Sequence, residues 1–246
     1  MLKKIIAYPL TLLYYLVFLI ILLIFHAIQW LCFNVFGYQA HKKSVDYLNF
    51  CLLKILYLIG VHTVFENKQK LEAGKPHIIV ANHQSHYDIS PIVWYLRKLH
   101  PKFISKKELG KGIPSISYNL RHGGSILIDR KNPRQALPEI KKFGQYLNKT
   151  NRAAVIFPEG TRSRNGKPKR FSPNGLKTLF KYCPDAVVVP VTINNSWKIL
   201  KNGMFPLNPF VKMTVKVQPP IKISDYQDLD LLITDIEQSI TKDIQL

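Results

Sequence analysis

Seven consecutive residues, Asn82-His83-Gln84-Ser85-His86-Tyr87-Asp88, bring together the side chains that proton transfer requires. They follow the apolar run Ile78-Ile79-Val80-Ala81, which reads as a buried strand too short to be a helix. Polar clusters at the ends of such strands are where open α/β sheets carry their chemistry. Ile89 to Leu96 suggest a helix, with Asp88 as its cap and Pro91 in its first turn. The spacing therefore sets a histidine in a strand-to-helix loop and a carboxylate about one turn later. Asp88 can accept a hydrogen bond from one imidazole nitrogen of His83 and leave the other free as a base. A His-x4-Asp spacing also arises by chance, and Asp88 can be a cap and nothing more, so the pair has to be weighed with its surroundings.

Three further clusters have the same placement. Gly124-Ser125-Ile126-Leu127-Ile128-Asp129-Arg130 ends a short apolar strand on an acid and an arginine. Phe157-Pro158-Glu159-Gly160-Thr161-Arg162-Ser163 follows the run Ala153 to Phe157, and Val188-Val189-Pro190-Val191-Thr192-Ile193 is itself strand-like. In a parallel sheet the ends of such strands converge on one rim.

The intervening segments supply the elements that must hold these clusters. Strands are expected at Val61 to Phe65, His77 to Ala81, Lys102 to Ser105, Ser125 to Ile128, Ala153 to Phe157, Ala186 to Ile193 and Lys212 to Val217. Helices are expected between them: to about Arg121, near Pro138 to Leu147 with Pro138 in the first turn, and after Ser172-Pro173. A last helix, capped by Ser224, carries Leu229, Leu232, Ile233, Ile236 and Ile240 on one face. Such alternation argues for a layered α/β fold with a largely parallel sheet flanked by helices.

Before this lies a different kind of sequence. From Ile5 to Ala40 there is no Lys, Arg, Asp or Glu. The run is too long for the core of a signal peptide, and no convincing cleavage site follows it. As one helix its 36 residues would measure about 54 Å, against roughly 30 Å of bilayer hydrocarbon. Either one span from Leu10 to Trp30 continues into an interfacial segment, or two helices form a hairpin near Phe25-His26. Lys3-Lys4 and Lys42-Lys43 flank both ends and favour a re-entrant or monotopic hairpin. A helix from Val45 to Ile59, ended by Gly60, suits the bilayer surface. Residues 1–60 thus read as membrane-anchoring helices and 61–246 as the α/β domain.

The net charge of +20 is concentrated. Between Arg97 and Lys181 there are 21 Lys and Arg against four acids, Glu108, Asp129, Glu139 and Glu159. A basic middle behind an apolar anchor points to anionic lipid headgroups, phosphate-bearing substrates or an acidic carrier protein. No nucleic-acid-binding motif is visible, so nucleic acid is not an expected partner. Cys32, Cys51 and Cys183 show no paired spacing, which argues for a reducing compartment without disulfides or structural zinc.

In order, N-H-x4-D, G-x4-D-R, F-P-E-G-T-R-S and V-P-V resemble the motifs of the 1-acyl-sn-glycerol-3-phosphate acyltransferase family of glycerolipid acyltransferases. The resemblance covers about Ile78 to Ile193, and Ser105-Lys106-Lys107-Glu108-Leu109 and Pro114 are similar to the segment before that family's second motif. His86-Tyr87 and Ser117 depart from it, at positions bearing on substrate selectivity rather than on the His or the Asp.

The resemblance implies transfer of an acyl group from acyl-CoA or acyl-carrier protein to the 2-hydroxyl of 1-acyl-glycerol 3-phosphate, giving phosphatidic acid. A different lysophospholipid, a lyso-ornithine lipid or glycerol 3-phosphate are the alternative acceptors. His83 would be the general base and Asp88 its orienter. Arg130 and Arg162 would grip the phosphate with guanidinium forks, with backbone amides at Gly160 and Thr161 as added donors. Glu159 falls in the acceptor-binding motif, where it can orient Arg130 or Arg162, bind a substrate hydroxyl, or pair locally for structure. Lys106 and Asn82 are further candidates for substrate contact. No G-x-S-x-G elbow occurs and Cys183 lies outside every motif, which favours direct attack over an acyl-enzyme. No metal or cofactor motif is present. The expected location is a membrane surface, with the site on the cytoplasmic side (the inner membrane in a bacterium). The rival outside enzymology is a basic, non-catalytic membrane protein that keeps the motifs as scaffold.

Overall fold

The computed structural model describes residues 2–245, so residues 1 and 246 of the two expected regions lie outside it. Helix α1 (Leu2–Val35) is continuous. The chain does not reverse near Phe25-His26, because neither residue breaks a helix. It turns at Gly37, whose φ of 77° suits a residue without a side chain. Helix α2 (Tyr38–Ile55) then packs back on α1 and ends through a 3₁₀ turn, Leu56–Ile59, on left-handed Gly60. It begins well before the expected Val45, its polar first turns tied down by the Lys42–Asp46 ion pair of 2.5 Å.

The α/β part follows as β1 (His62–Glu66), β2 (His77–Ala81), α3 (Ile89–Tyr95), β3 (Pro101–Lys106), α4 (Ile116–His122) and β4 (Ile126–Ile128). It continues as α5 (Pro133–Thr150), β5 (Ala153–Ile156), α6 (Pro173–Tyr182), β6 (Val187–Asn194) and the single turn α7 (Ser196–Ile199). Strands β7 (Lys212–Val217) and β8 (Ile221–Lys222) and helix α8 (Leu229–Thr241) complete it. Two caps differ from expectation. Asn132 caps α5 with Pro133 in its first turn, so Pro138 sits inside the helix, and Asp228 rather than Ser224 caps α8.

The sheet order is β1-β7-β6-β2-β5-β3-β4, with β8 also on β6. Strands β2, β3, β4, β5 and β6 run parallel, whereas β7 and β8 pair antiparallel with β6. β2 is central and buried along its whole length, which is why it reads as an unbroken apolar run rather than an alternating one. Parallel direction brings the carboxyl ends of β2, β4, β5 and β6 to one rim. Each ends within two residues of a cluster singled out above.

One face of the sheet is covered by α5, α6 and α8 around Ile140, Phe143, Leu176, Phe180 and Ile236. The other packs on Val45 of α2 and on α3, through Ile92, Val93 and Leu96. Helix α1 lies along this second side rather than projecting away. Tyr15 donates to the Met204 carbonyl at 2.7 Å, and Thr11 Oγ1 accepts from the Leu207 amide at 3.0 Å. Tyr14 and Tyr87 meet edge to face at 6.4 Å. Further along, Ser115 Oγ donates to the Leu22 carbonyl at 2.7 Å and Asn34 donates to Tyr118 Oη at 3.0 Å. The outer face leaves Leu12, Leu16, Leu23, Ile24, Trp30 and Leu31 exposed, an apolar stripe that water solvates poorly.

Candidate active site

The rim loop after β2 is built around Asp88, which is completely buried. Its Oδ2 accepts from His83 Nδ1 at 2.8 Å, from the Gln84 amide at 2.7 Å and from the Ser85 amide at 2.9 Å. Its Oδ1 accepts a short hydrogen bond from Ser196 Oγ at the start of α7. Donors on both oxygens offset the cost of burying the charge. The carboxylate does not cap α3, as the sequence suggested. Ser85 caps the 3₁₀ turn His86–Asp88 by accepting from the Tyr87 amide at 3.1 Å, and Asp88 closes the reciprocal half of that box from inside the loop.

A carboxylate accepting from Nδ1–H leaves the lone pair on Nε2, which has no hydrogen-bond partner among the described residues. The imidazole is held flat against Phe157, with ring centroids 4.1 Å apart and planes 18° apart. Two further bonds fix the backbone of His83. Its amide donates to Glu159 Oε1 at 2.8 Å, and its carbonyl accepts from the Ser163 amide at 2.7 Å. Both partners lie in the loop after β5, so the second and third clusters of the sequence are clamped directly to the first.

Glu159 therefore differs from each arginine-based expectation. Its other oxygen accepts from the Lys169 amide at 3.1 Å, so the carboxylate staples two stretches of backbone and bonds to neither arginine. Burial raises its pKa, and the amides of His83 and Lys169 pull it back. Asn82 is also taken up by scaffold. Its amide donates to the Ile193 carbonyl at 2.8 Å and accepts from the Ile193 amide at 2.7 Å, continuing the β2–β6 ladder through a side chain. Gln84 adds a third link to that side by accepting from the Ser196 amide at 3.1 Å.

The cations sit further out. Arg130 donates to the Gly160 carbonyl at 2.7 Å, so the exposed Gly160 and Thr161 lie beside its guanidinium. Partial desolvation and then the neighbouring charge of Arg162 lower the Arg130 pKa, with Glu108 opposing. Two like charges brought this close suit an anion between them. Arg162 is exposed and reaches His86 Nδ1 at 3.5 Å. Lys106 is exposed at the end of β3 and pairs with Glu108 at 3.2 Å, outside the His83 shell. Behind Arg130 a cavity of about 200 Å³ opens between α5 and α6, lined by Ile104, Ile128, Ile140, Ile156 and Phe157.

Sequence reasoning missed Ser196 and Lys169 as members of this assembly, and it gave Gln84, inside the first cluster, no role. The legible sign for Ser196 was a polar trio, Asn194-Asn195-Ser196, directly after a strand end. Lys169 acts through its backbone amide, which no residue type announces.

Fold and site together define a layered α/β protein with an oriented histidine on the carboxyl rim of its sheet and two arginines beside it. The chain belongs to the acyltransferase family, whose profile matches residues 62–194, more than half of its length. Curated relatives named 1-acyl-sn-glycerol-3-phosphate acyltransferase include one from Limnanthes douglasii, 28% identical over 70% of this chain and 59% of its own. Another, from Helicobacter pylori, is 38% identical over 51% of each chain. This chain spans between half and three-fifths of the length of these relatives. The crystal structure of the 1-acyl-sn-glycerophosphate acyltransferase PlsC from Thermotoga maritima superposes with a TM-score of 0.78 at 22% identity, covering 98% of this chain and 95% of that one. It shares the fold.

Proposed function

We propose that this protein is a membrane-anchored O-acyltransferase that esterifies the 2-hydroxyl of 1-acyl-sn-glycerol 3-phosphate from a thioester donor, acyl-CoA or an acidic acyl-carrier protein. The observation that carries the reading is the 2.8 Å His83–Asp88 pair, with the free nitrogen of His83 on the same rim as Arg130 and Arg162. The names of the curated relatives support the acceptor.

An alcohol is a poor nucleophile at neutral pH, so the chemistry turns on removing its proton as the bond forms. Nε2 of His83 takes the proton from the substrate hydroxyl, whose oxygen attacks the thioester carbonyl. Asp88 holds the tautomer and stabilises the imidazolium. Collapse of the tetrahedral intermediate breaks the carbon–sulfur bond, and the imidazolium returns its proton to the departing thiolate. Arg130 and Arg162 anchor the acceptor phosphate, and the apolar stripe of α1 lets the lipid enter from a bilayer without crossing water. The net charge of +20 supports a site that works at the anionic, cytoplasmic leaflet, where soluble donors are found.

The test is a purified-protein assay with a panel of lysolipids and both thioester donors, scored by product mass. Thiol release that requires an acceptor lipid excludes a non-catalytic role. His83→Ala should cost on the order of 10²–10⁴-fold in rate; full activity in a folded variant overturns the reading. Arg130→Ala separates the acceptors. It should raise KM by roughly tenfold or more for a phosphate-bearing lipid, the share of one charged hydrogen bond, and far less for a phosphate-free one.

A further inference from the structure

We propose that Ser196 is a positioning residue of the acyl-transfer site, acting on His83 through Asp88. The inference rests on the function proposed above. It concerns a residue beyond the four sequence clusters and beyond the 62–194 stretch that the family profile matches.

The geometry is specific. Ser196 is fully buried, and its hydroxyl donates the short bond to Asp88 Oδ1, the oxygen opposite the one that holds His83. Its amide donates to Gln84 Oε1 at 3.1 Å, while the Gln84 amide donates to Asp88 Oδ2 at 2.7 Å. The start of α7 and the rim loop are thus joined by a closed circuit of hydrogen bonds with the carboxylate at its centre. The chain reaches this position through Asn195, which adopts a left-handed conformation (φ 67°) that costs most residues energy and asparagine least. Backbone held in such a conformation next to a functional group must be fixed by its surroundings.

The physical consequence follows from the acceptor capacity of a carboxylate. The Ser196 hydroxyl stabilises the negative charge on Asp88 and draws part of it away from His83. Without the hydroxyl, more of that charge acts on the imidazole. The imidazolium is then stabilised, and His83 holds its proton to higher pH. One of the tethers that fix the plane of the carboxylate is lost as well. Around this pair stand His86 on the same loop and Glu159, Arg162 and Lys169 from the loop after β5. All remain in Ser196 variants, so a shift reports the hydroxyl.

Ser196→Ala should lower kcat by about tenfold, below the 10²–10⁴ that a general base supplies, with KM little changed. The acidic limb of the kcat/KM–pH profile should move up by about half a unit, and Ser196→Thr, which keeps the hydroxyl, should restore both. A rate scaled equally at every pH, or loss in the alanine and threonine variants alike, would reduce Ser196 to a structural part and overturn the proposal. Should the alanine variant unfold, the near-isosteric Ser196→Cys, whose thiol is a weak donor, carries the same test. A second readout needs no turnover. The pH dependence of diethylpyrocarbonate modification at His83, followed by peptide mass, titrates the imidazole directly. An upward shift in Ser196→Ala supports the proposal even if the wild-type protein transfers no acyl group, and an unmoved titration sinks it even if transfer is confirmed.

Discussion

At the scale of single residues, His83 and Asp88 have different structural standing. The His83 side chain meets Asp88 on one nitrogen and Phe157 on its face, and its removal leaves few groups unsatisfied. Asp88 is the buried acceptor for two amides, an imidazole and two hydroxyls, those of Ser196 and, at 3.4 Å, Ser85. Deleting such an acceptor leaves several donors orphaned at once, and each costs about 1–3 kcal/mol. Asp88→Ala should therefore lose activity and also unfold at clearly lower temperature, whereas His83→Ala should lose activity with its unfolding temperature nearly unchanged. Equal thermal stability of the two folded variants would contradict this account. Spacing was enough to pair these residues. It could not reveal that Asp88 serves the loop as well as the imidazole, because the carboxylate turns inward only when the 3₁₀ turn and α7 are both in place.

At the scale of elements, the strands were the most legible parts. β2 and β7 match their expected bounds because a run of apolar residues ended by polar ones has few other solutions. Helix starts were less so: α2 and α5 open on polar turns that lack the apolar period. The entry of β3 shows what an element can tolerate away from the rim. Lys102 is 6% exposed, with its ammonium over the Tyr38 ring at 5.2 Å and the Arg152 guanidinium over the same ring at 4.1 Å. Burial first, then the charges of Arg152 and Lys42, push its pKa down to about 7, with Asp46 opposing. An unfolded lysine keeps its proton to about 10.4. Stability contributed by this site therefore rises as pH climbs from about 7 toward 10, and the penalty is complete below 7. Lys102→Met should raise the unfolding temperature at pH 6 and flatten that rise, the penalty being at most about 5 kcal/mol. A less stable Lys102→Met protein at pH 6 would show that the cation–π contacts outweigh desolvation.

At the scale of the whole molecule, the membrane-bound protein proposed above would hold a bilayer by two features acting together. The apolar stripe of α1 would contribute a term insensitive to salt, and the net charge of +20 one that salt screens. At low salt the protein should bind phosphatidylglycerol vesicles more tightly than phosphatidylcholine vesicles. The difference should shrink as NaCl approaches 1 M, where the Debye length is about 3 Å. Co-sedimentation measures both, and equal binding to the two vesicles at low salt would remove electrostatics from the account. Helix α1 also bears on the site: Tyr14 packs against Tyr87, the neighbour of Asp88, so α1 and the rim loop share one wall.

The sequence by itself determined the strands, the four clusters and their convergence on one rim, the apolar character of the N-terminal helix and the concentration of positive charge. Each is a local pattern or a consequence of parallel strand direction. Only the tertiary structure decided where the N-terminal helical segment turns, at Gly37, and that α1 lies along the domain, because helix docking depends on partners such as Ser115 and Met204 far away in the chain. It also decided that Glu159 and Asn82 grip backbone, and that Ser196 reaches Asp88 across 108 positions of sequence. Hydrogen bonds between segments so distant leave no periodicity to read; they exist only once the sheet has set the loops side by side.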